Sequence, residues 1–572
     1  MNSPLQLKRQ QLKPRSVGRT DHKARKSRLK RSRWTTVYAL FLVVCLVHTG
    51  CFNEEPTTYY GKSVPPHAQE FRWSDGGLPR TFDPAFAAAP PDTDAVRALF
   101  EGLTDYDPQT LAPIPAVATR WESSHEGRVW TFYLRDNARW SNGDKVTAGD
   151  FVRSWQRTLK IGPLAPHTEL LTNIEGATPT ISQPDSTEST PHFGAQALGE
   201  HVLKVTLQHA DSSFPALVAH PVFRPVKLPD AEHTKPIQSH ELISNGAFQL
   251  SAAETDRVRL ERAHNYWDGD SVSLDRVTFV NTPNPEDALS AYRAGDIDAV
   301  TNAAFEPLAL KLLAPYKDFR RSTFGALTYY VFNVNREPFD DVRVREALAL
   351  AIDRERISRV DLGGATEPAG RFLPDAMAGE KPVVDKAELL DYDVNKARDL
   401  LAEAGYPNGE NFPVVRLLIN RNEQQRLVAQ SIAAMWRTAL NIQTEVVIQS
   451  WEDYELTIQA GDYDVVRRGV VMQTTSEPTN IANLFGRDIQ AAPTPPNTTE
   501  GAANAATTPE PQQATLIESE AQALKELKAM PIYFASSYSL VKPYVSGFDL
   551  NVLDVPSLKR TRVDTKWSEP GR

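Results

Sequence analysis

The residue types that most often perform catalysis occur in this chain, but their spacing does not define a catalytic site. Two carboxylate pairs, Asp296/Asp298 and Asp462/Asp464, could in principle supply a general acid and a general base. Their i, i+2 spacing between apolar residues instead indicates strand ends whose acids face solvent. The twelve histidines are scattered, and the motifs of serine hydrolases, zinc proteases and Walker-type NTPases do not occur. We therefore expect no enzymatic activity and no cofactor.

The two cysteines belong to an N-terminal address and not to a reactive or structural site. Cys45 lies in an uncharged apolar run from Val37 to Val47, which is shorter than the ~20 residues that a helix needs to cross a bilayer. A basic segment, a short apolar run and then small residues are typical of a secretory signal. The body of the protein is therefore expected outside the cytoplasm.

The apolar run ends in Gly50-Cys51, and this ending resembles the lipobox of bacterial lipoproteins, whose cysteine receives lipid. His48 departs from the leucine that the lipobox usually carries. We expect a leader over residues 1–51, lipidation at Cys51 and a polar tether over residues 52–65. A signal anchor that is never cleaved is the alternative.

The charge is divided between two parts of the chain. The first 33 residues carry twelve Lys and Arg against one acid, a net charge of +11. Since the whole chain carries −9, the residues that follow carry −20. A basic tail before an apolar run is typical of the cytoplasmic side of a signal before export. The acidic body excludes a general nucleic-acid-binding protein.

Helical and strand-like patterns alternate along the body, which predicts an α/β fold. Strands are expected at 71–78, 130–134, 414–419 and 444–448. Helices are expected at 145–159, 341–360, 394–405, 423–440 and 516–530. Two segments poor in large apolar residues interrupt this pattern: residues 177–192 indicate a surface insertion, and residues 490–515 a disordered tract or long loop.

A series of short motifs follows in a constant order over most of the body. They include LPRTFDP (Leu78 to Pro84), FEGLTDYD (Phe100 to Asp107), a long segment from Trp130 to Arg157, AYRAGDIDAV (Ala291 to Val300), a segment from Tyr329 to Ile357, and PIYFASSYSLVKPYVSGF (Pro531 to Phe548). Each motif alone is mostly structural. Together they resemble extracellular solute-binding proteins of family 5, the oligopeptide-binding-protein-like substrate-binding proteins of peptide and nickel ABC transporters.

The resemblance implies an α/β, two-lobed periplasmic-binding-protein-like fold of type II, in the class with an extra domain and with its lobes joined by a hinge. The implied domains are a discontinuous lobe I over 66–101, 226–325 and 528–572, an accessory domain of lobe I over 102–225, and lobe II over 326–527, which includes the tract 490–515. In such a fold the ligand lies between the lobes and favours their closure.

The resemblance also places the ligand-binding residues. Arg467 and Gly469 stand where the family has its arginine and the glycine whose backbone approaches the ligand. Trp451 matches the family's tryptophan at the preceding strand–helix junction. Thr474, with Gln473 beside it, stands where peptide binders place an aspartate for the α-ammonium group of the peptide.

This last position departs from the family. No acidic side chain occurs between Gly469 and Glu477, and Val470 replaces a tryptophan of the family. A buried peptide ammonium left unpaired costs ~3–5 kcal/mol. We therefore do not expect a free peptide N-terminus to bind through this position.

The resemblance implies a binding protein without catalytic activity. It implies capture of an oligopeptide or similar polar solute and its delivery to an ABC permease and ATPase complex in the inner membrane. A metal chelate or a sugar stays open as ligand. We expect a monomer, periplasmic or otherwise extracytoplasmic, lipid-anchored to a bacterial cell membrane. The alternative is a non-transport receptor or interaction lipoprotein that kept the fold but lost the peptide clamp.

Overall fold

The structure is a computed structural model that describes residues 58–177, 193–228, 234–377, 389–486, 517 and 519–569. The predicted leader, the lipidation at Cys51, the tract 490–515 and nearly all of the insertion 177–192 lie outside these residues. Within them, no helix is long and apolar enough to cross a membrane.

The strands of the described residues are β1 (Glu70–Asp75), β2 (Thr104–Tyr106), β3 (Pro113–Pro115), β4 (Ala118–Ser124), β5 (Val129–Leu134), β6 (Ala195–Ala197), β7 (Val202–Thr206), β8 (Phe248–Ala253), β9 (Arg257–Arg262), β10 (Arg276–Val280), β11 (Ala299–Thr301), β12 (Phe319–Phe332), β13 (Thr366–Pro368), β14 (Val415–Asn420), β15 (Thr444–Gln449), β16 (Val465–Val471), β17 (Ala529–Val541), β18 (Val545–Ser546) and β19 (Arg562–Val563).

The helices of the described residues are α1 (Asp92–Leu99), α2 (Ala148–Ile161), α3 (Phe214–Leu217), α4 (Pro285–Ala294), α5 (Pro307–Leu313), α6 (Val342–Leu350), α7 (Arg354–Arg356), α8 (Val394–Glu403), α9 (Glu423–Leu440), α10 (Trp451–Gln459), α11 (Glu477–Phe485) and α12 (Glu520–Glu526).

One large mixed sheet extends through the described fold. Its strand order is β15-β14-β16-β12-β17-β11-β1-β10-β9-β8, and β13 pairs with β17 at the side. The long strands β12 and β17 pair antiparallel near the middle of this order, with register shifts between Thr323 and Leu327 and between Thr328 and Tyr329. Irregular pairing of this kind bends a strand. The sheet is therefore divided into two halves that share these two strands.

The two halves have separate hydrophobic cores. The core around β1, β9 and β10 contains Phe71, Trp73 and Phe279, and we call this part lobe I. The core around β14, β16 and α9 contains Leu417, Val466 and Trp436, and we call this part lobe II. The predicted two-lobed α/β fold is thus confirmed in its architecture, whereas the predicted domain limits stay a prediction.

A second, four-stranded sheet with the order β4-β5-β7-β6 packs on lobe I. Its side chains Trp130 and Phe132 belong to the lobe I core. Helix α2 begins with a capping box formed by Thr147 and Asp150, and the indole of Trp155 on this helix donates to the carbonyl of Phe223 (2.8 Å). We call residues 102–225, the predicted accessory domain, the accessory part; its four-stranded sheet and α2 share one hydrophobic core with lobe I.

The helix predicted over 341–360 is broken in the structure. Helix α6, capped by Asp341, ends at Leu350, and α7 restarts at Arg354 after a new cap at Asp353. The buried guanidinium of Arg354 donates to the carbonyls of Ala349 (3.1 Å) and Pro531 (2.8 Å). The Arg354 side chain thus satisfies a backbone carbonyl at the carboxyl end of α6, where the next helical turn would otherwise supply the donor, and the helix ends here.

The prediction of a helix over 516–530 is also partly wrong. Helix α12 spans Glu520–Glu526 and ends at Leu527, whose φ is +45°. The chain then enters β17, which pairs with β12. The helix at 423–440 and the glycine stop at Gly405 (φ +97°) after α8 are confirmed.

Candidate ligand-binding site

Strand β16 carries two of the predicted binding residues on one side of the sheet. It lies between β12 and β14, and its ladder pairs Arg467 with Tyr330 and Gly469 with Thr328. Because alternate residues of a strand point to the same face, Arg467 and Gly469 share a face and Arg468 lies on the other.

The guanidinium of Arg467 lies over Gly469. A Cβ at position 469 would come within 3.0 Å of Arg467 Nη2, so a larger residue there would displace the arginine. Arg467 Nη2 donates to Thr328 Oγ1 (3.4 Å), and its Nε is buried without a partner among the described residues. The arginine therefore keeps donor capacity that a carboxylate could satisfy.

Trp451 is connected to this strand through Tyr454. It is the first residue of α10, directly after β15, and 61% of it is exposed. Its ring packs on Tyr454 with centroids 5.7 Å apart, and the Tyr454 hydroxyl donates to the backbone carbonyl of Arg467. The structure thus brings Trp451, Arg467 and Gly469 into one connected group.

Thr474 lies after β16 and is completely buried. Its hydroxyl accepts from the amide of Ser476 (3.2 Å), and its carbonyl accepts from Asn480 Nδ2 (2.8 Å). These contacts place Thr474 at the start of α11, where it shapes the turn. In this conformation the side chain is not open to a ligand.

Gln473 is half-buried and contacts a residue of the accessory part. Its Oε1 lies 3.4 Å from His220 Nε2. The amide of Val222 donates to His220 Nδ1 (3.2 Å), so the proton of the ring is on Nε2 and the histidine donates to Gln473. Burial, followed by the neighbouring His167, lowers the pKa of His220 well below its usual value. The imidazole is therefore neutral at pH 7.

Two further residues of the accessory side face the same segment of lobe II. Ser213 Oγ donates to Ser476 Oγ (2.8 Å). The hydroxyl of Tyr106 is buried, has no hydrogen-bond partner among the described residues, and faces Thr474. Burial raises the pKa of Tyr106 to about 12. Tyr106 lies within the FEGLTDYD motif, whereas nothing in the sequence marks Ser213 or His220.

The hinge strands are fixed to this region by Gly325. Its amide donates to the Val552 carbonyl and its own carbonyl accepts from the Met472 amide, both at 2.7 Å. A Cβ at position 325 would lie 2.9 Å from Met377 Cε and 3.0 Å from the Val552 carbonyl oxygen. Only glycine allows β12 to come this close to both neighbours.

Three buried carboxyl groups of lobe I were not marked by any sequence motif. Asp75 accepts from Thr301 Oγ1 (2.7 Å), and burial raises the pKa of both Asp75 and Asp94. Asp554 accepts from Ser537 Oγ (2.8 Å), and burial raises its pKa to about 6. In each of the three groups, burial therefore favours the protonated carboxyl over the carboxylate.

In each of the two carboxylate pairs of the sequence, one acid is exposed and the other is largely buried. Asp296 is exposed as predicted, but Asp298 is fully buried and accepts from Arg72 Nη2 and from the Tyr544 hydroxyl, both at 2.7 Å. The prediction that Asp298 faces solvent is therefore wrong, since a local pattern does not show the arginine that neutralises it.

Asp464 departs from the prediction in the same way. Its side chain is 12% exposed and pairs with Arg336 (3.2 Å), while that of Asp462 is 66% exposed. The described residues also hold no group of three His, Cys, Asp or Glu that could bind a metal ion. The acids of this region thus hold strands together.

The structure has two lobes that share a pair of long strands. An arginine, a glycine and an exposed tryptophan lie beside their junction. These features define a class of protein: a two-lobed solute-binding protein. Residues 112–491 match the family described as bacterial extracellular solute-binding proteins, family 5 Middle. The chain belongs to this family, whose members bind solutes and are not enzymes.

Among its relatives, the periplasmic murein peptide-binding protein MppA of Escherichia coli is 32% identical over 498 residues, which cover 84% of this chain and 91% of MppA. The periplasmic oligopeptide-binding protein OppA of the same organism is 30% identical over 492 residues, covering 83% of this chain and 89% of OppA.

Solved structures support the same assignment. The unliganded open form of MppA has a TM-score of 0.72 at 28% identity and covers 88% of this chain and 98% of that one. OppA of Haemophilus influenzae in complex with the peptide RPPGFSPFR has a TM-score of 0.58 at 26% identity, covering 87% and 99%.

Proposed function

We propose that the protein captures an oligopeptide or a similar polar solute between its two lobes and delivers it to an ABC permease and its ATPase. The observation that carries this proposal is the group formed by Arg467, Gly469 and Trp451 beside the hinge strands. It supplies a cation with free donor capacity, a close backbone approach and an exposed aromatic face. The curated relatives named for murein peptides and for oligopeptides favour a peptide over a sugar or a metal chelate.

Arg467 is assigned the anionic part of the ligand. Its unpartnered Nε is buried, and a charge-assisted hydrogen bond to a carboxylate is about twice as strong as a neutral one. Trp451 is assigned an apolar or aromatic side chain of the ligand, because it is exposed beside a rigid helix start. The ligand therefore has at least one carboxylate and one apolar group.

Gln473 and Thr474 are assigned neutral contacts with the ligand, for which Gln473 must exchange its contact with His220 and Thr474 its contact with Ser476. Neither side chain has a charge that would pair with an ammonium group, and Thr474 is buried at present. A free peptide N-terminus therefore binds more weakly at this position than it would if a carboxylate stood there. We therefore expect that peptides with a blocked N-terminus also bind.

The sequence and the periplasmic relatives support a proposal for the cellular setting. We assign residues 1–51 to a lipoprotein leader that is cleaved before Cys51, Cys51 to the lipid anchor, and the monomeric body to the periplasm or extracytoplasmic face of a bacterial membrane. The domain limits given above, with lobe I split by the accessory domain, belong to the same proposal.

A non-transport receptor is the second candidate. It is favoured by the contacts of Ser476 with Ser213 and of Gln473 with His220, which occupy the place where a peptide binder holds an acid. In this case the fold is kept and the clamp is lost. Uptake of a bound peptide by cells with and without the protein separates transport from reception.

Isothermal titration calorimetry of the mature protein tests the binding assignment. The ligands are one tripeptide, its N-acetyl form and its C-terminal amide. We expect acetylation to change the dissociation constant less than about threefold and amidation to weaken it about tenfold or more, or ~1.4 kcal/mol. A large loss on acetylation with none on amidation would reverse the assigned ends.

A further inference from the structure

The first described residues are fastened to lobe I. The carbonyl of Thr58 accepts from the amide of Lys317 (3.1 Å), and the amide of Tyr60 donates to the buried carboxylate of Asp318 (2.9 Å). The carbonyl of Tyr60 accepts from Lys542 Nζ (3.2 Å). The chain therefore leaves the folded body at a defined point of lobe I.

Helix α5 packs beside this point. The ring of Tyr60 lies 5.2 Å from that of Tyr316, and Tyr60 contacts the same hydrophobic cluster as Ala309, Leu310 and Leu313 of α5. These three residues form the inner face of the helix. The position of α5 is thus tied to the exit of the chain.

The outer face of α5 is apolar and exposed. Leu308 is 69% exposed and Leu312 is 66% exposed, and their i, i+4 spacing puts them side by side. Lys311 and Lys317 are exposed next to them. We call Leu308, Lys311, Leu312 and Lys317 the α5 face. Leucines bordered by lysines are the composition of segments that lie in a membrane interface.

The length of chain before Thr58 limits what can lie near the membrane. Six residues lie between Cys51 and Thr58, and the seven Cα–Cα steps from one to the other span at most about 25 Å when fully extended. A folded body of ~500 residues has a radius of gyration of roughly 24 Å, so its far side is out of reach. A lipid at Cys51 therefore holds the surface around Thr58 close to the bilayer.

We propose that the α5 face docks on the bilayer that carries the lipid anchor, with Leu308 and Leu312 in the headgroup region and Lys311 and Lys317 toward lipid phosphates. This inference rests on the proposed lipidation of Cys51. The exposed acid Glu306 stands at the N-cap position, at the other end of the helix from Lys311, and its side chain makes no capping hydrogen bond. Docking fixes lobe I to the membrane and leaves lobe II as the moving part.

Site-specific fluorescence tests the docking. Cys45 and Cys51 are the two cysteines of the chain, so a mature protein with an acylated Cys51 has no other thiol. Leu312→Cys is labelled with an environment-sensitive fluorophore and reconstituted in vesicles of phosphatidylethanolamine and phosphatidylglycerol. Val360→Cys, at a 71% exposed position of lobe II, is the matched control.

We expect the label at position 312 to shift to shorter wavelengths and to be quenched by nitroxide lipids at least ~twofold more than the label at position 360. Adding Lys311→Glu and Lys317→Glu should reduce both effects. Equal, solvent-like emission at both positions in protein that floats with the vesicles would overturn the docking. Failure to float would instead overturn the lipid anchor, which separates the two proposals.

Discussion

At the scale of single residues, the alternation of β16 separates two neighbouring arginines by function. Arg467 shares its face with Gly469 and keeps free donor capacity. Arg468 lies on the opposite face and pairs with Glu455 (3.1 Å). Substitution of the two therefore distinguishes a ligand contact from a general loss of positive charge.

Arg467→Ala should weaken binding of an anionic ligand by 1–3 kcal/mol, because a charge-assisted hydrogen bond is lost. Arg468→Ala is the control and should leave the affinity within about threefold of wild type. Calorimetric titration of both variants with the same peptide measures the difference. If Arg467→Ala binds as well as the control, Arg467 is not part of the site.

Asp554→Asn should stabilise the fold at alkaline pH. Burial raises the pKa of Asp554 to about 6 in the folded protein, above the ~3.9 of an unfolded aspartate. The folded state thus holds a proton that the unfolded state has lost, and above pH 6 it must bury a charge. The contribution is destabilising at pH 8 and vanishes below pH 4, where both states are protonated.

The asparagine keeps the acceptor for Ser537 and removes the charge, so we expect a gain of about 1–3 kcal/mol at pH 8 and none at pH 3.5. Calorimetric melting at both pH values measures it. Asp549→Asn, which removes an exposed ion pair with Arg320, should change stability by less than about 1 kcal/mol. A gain for Asp554→Asn that is equal at both pH values would contradict the buried-charge explanation.

At the scale of elements, the close approach at Gly325 sets how β12 crosses between the lobes. It lies between Thr323 and Leu327, where the register with β17 shifts. Its two backbone hydrogen bonds connect β12 to Val552 and to Met472. The bend of the hinge strand therefore depends on one residue without a side chain.

Gly325→Ala should cost about 1–3 kcal/mol, because the new methyl group meets the Val552 carbonyl at 3.0 Å. Gly269→Ala is the control, since a Cβ there has nothing within 4 Å, and it should stay within about 0.5 kcal/mol. Denaturant unfolding of both variants measures the difference. Similar stability of the two would show that the strand accommodates the methyl group and that the contact is not restrictive.

The sequence predicted elements best where the signal is local. The helix over 423–440 has its apolar stripe, its Asn422 cap and its end within one segment. The helix over 341–360 also has periodic apolar residues, yet it breaks because Arg354 binds carbonyls of Ala349 and of distant Pro531. A local pattern does not contain that partner, so the break could not be predicted.

For the candidate site, the sequence indicated positions but not their surroundings, and the binding roles stay a prediction. Arg467, Gly469 and Trp451 could be proposed because a family motif marks each position, and the structure places them together. The burial of Thr474 could not, because it depends on Tyr106 and Ser476 packing around it in three dimensions. Neither His220 nor Asp554 lies in a pattern that indicates its surroundings.

At the scale of the whole molecule, two cores are joined by β12 and β17, and we propose that the two lobes close over a solute. The family membership shows a solute-binding protein, and the arrangement around Arg467 supports a ligand with a carboxylate. We propose that the neutral pair Gln473 and Thr474 does not clamp a peptide ammonium. The central claim is therefore that the mature body binds a peptide-like solute.

Native mass spectrometry of the mature protein, purified without added ligand, tests this claim most directly. We expect a bound species of peptide mass that is released on denaturation and can be sequenced. We also expect that protein stripped of this species melts at a higher temperature when peptide is returned. Protein that carries no ligand and shows no thermal shift with peptides, metals or sugars would contradict solute capture. The non-transport receptor would then be the remaining candidate function.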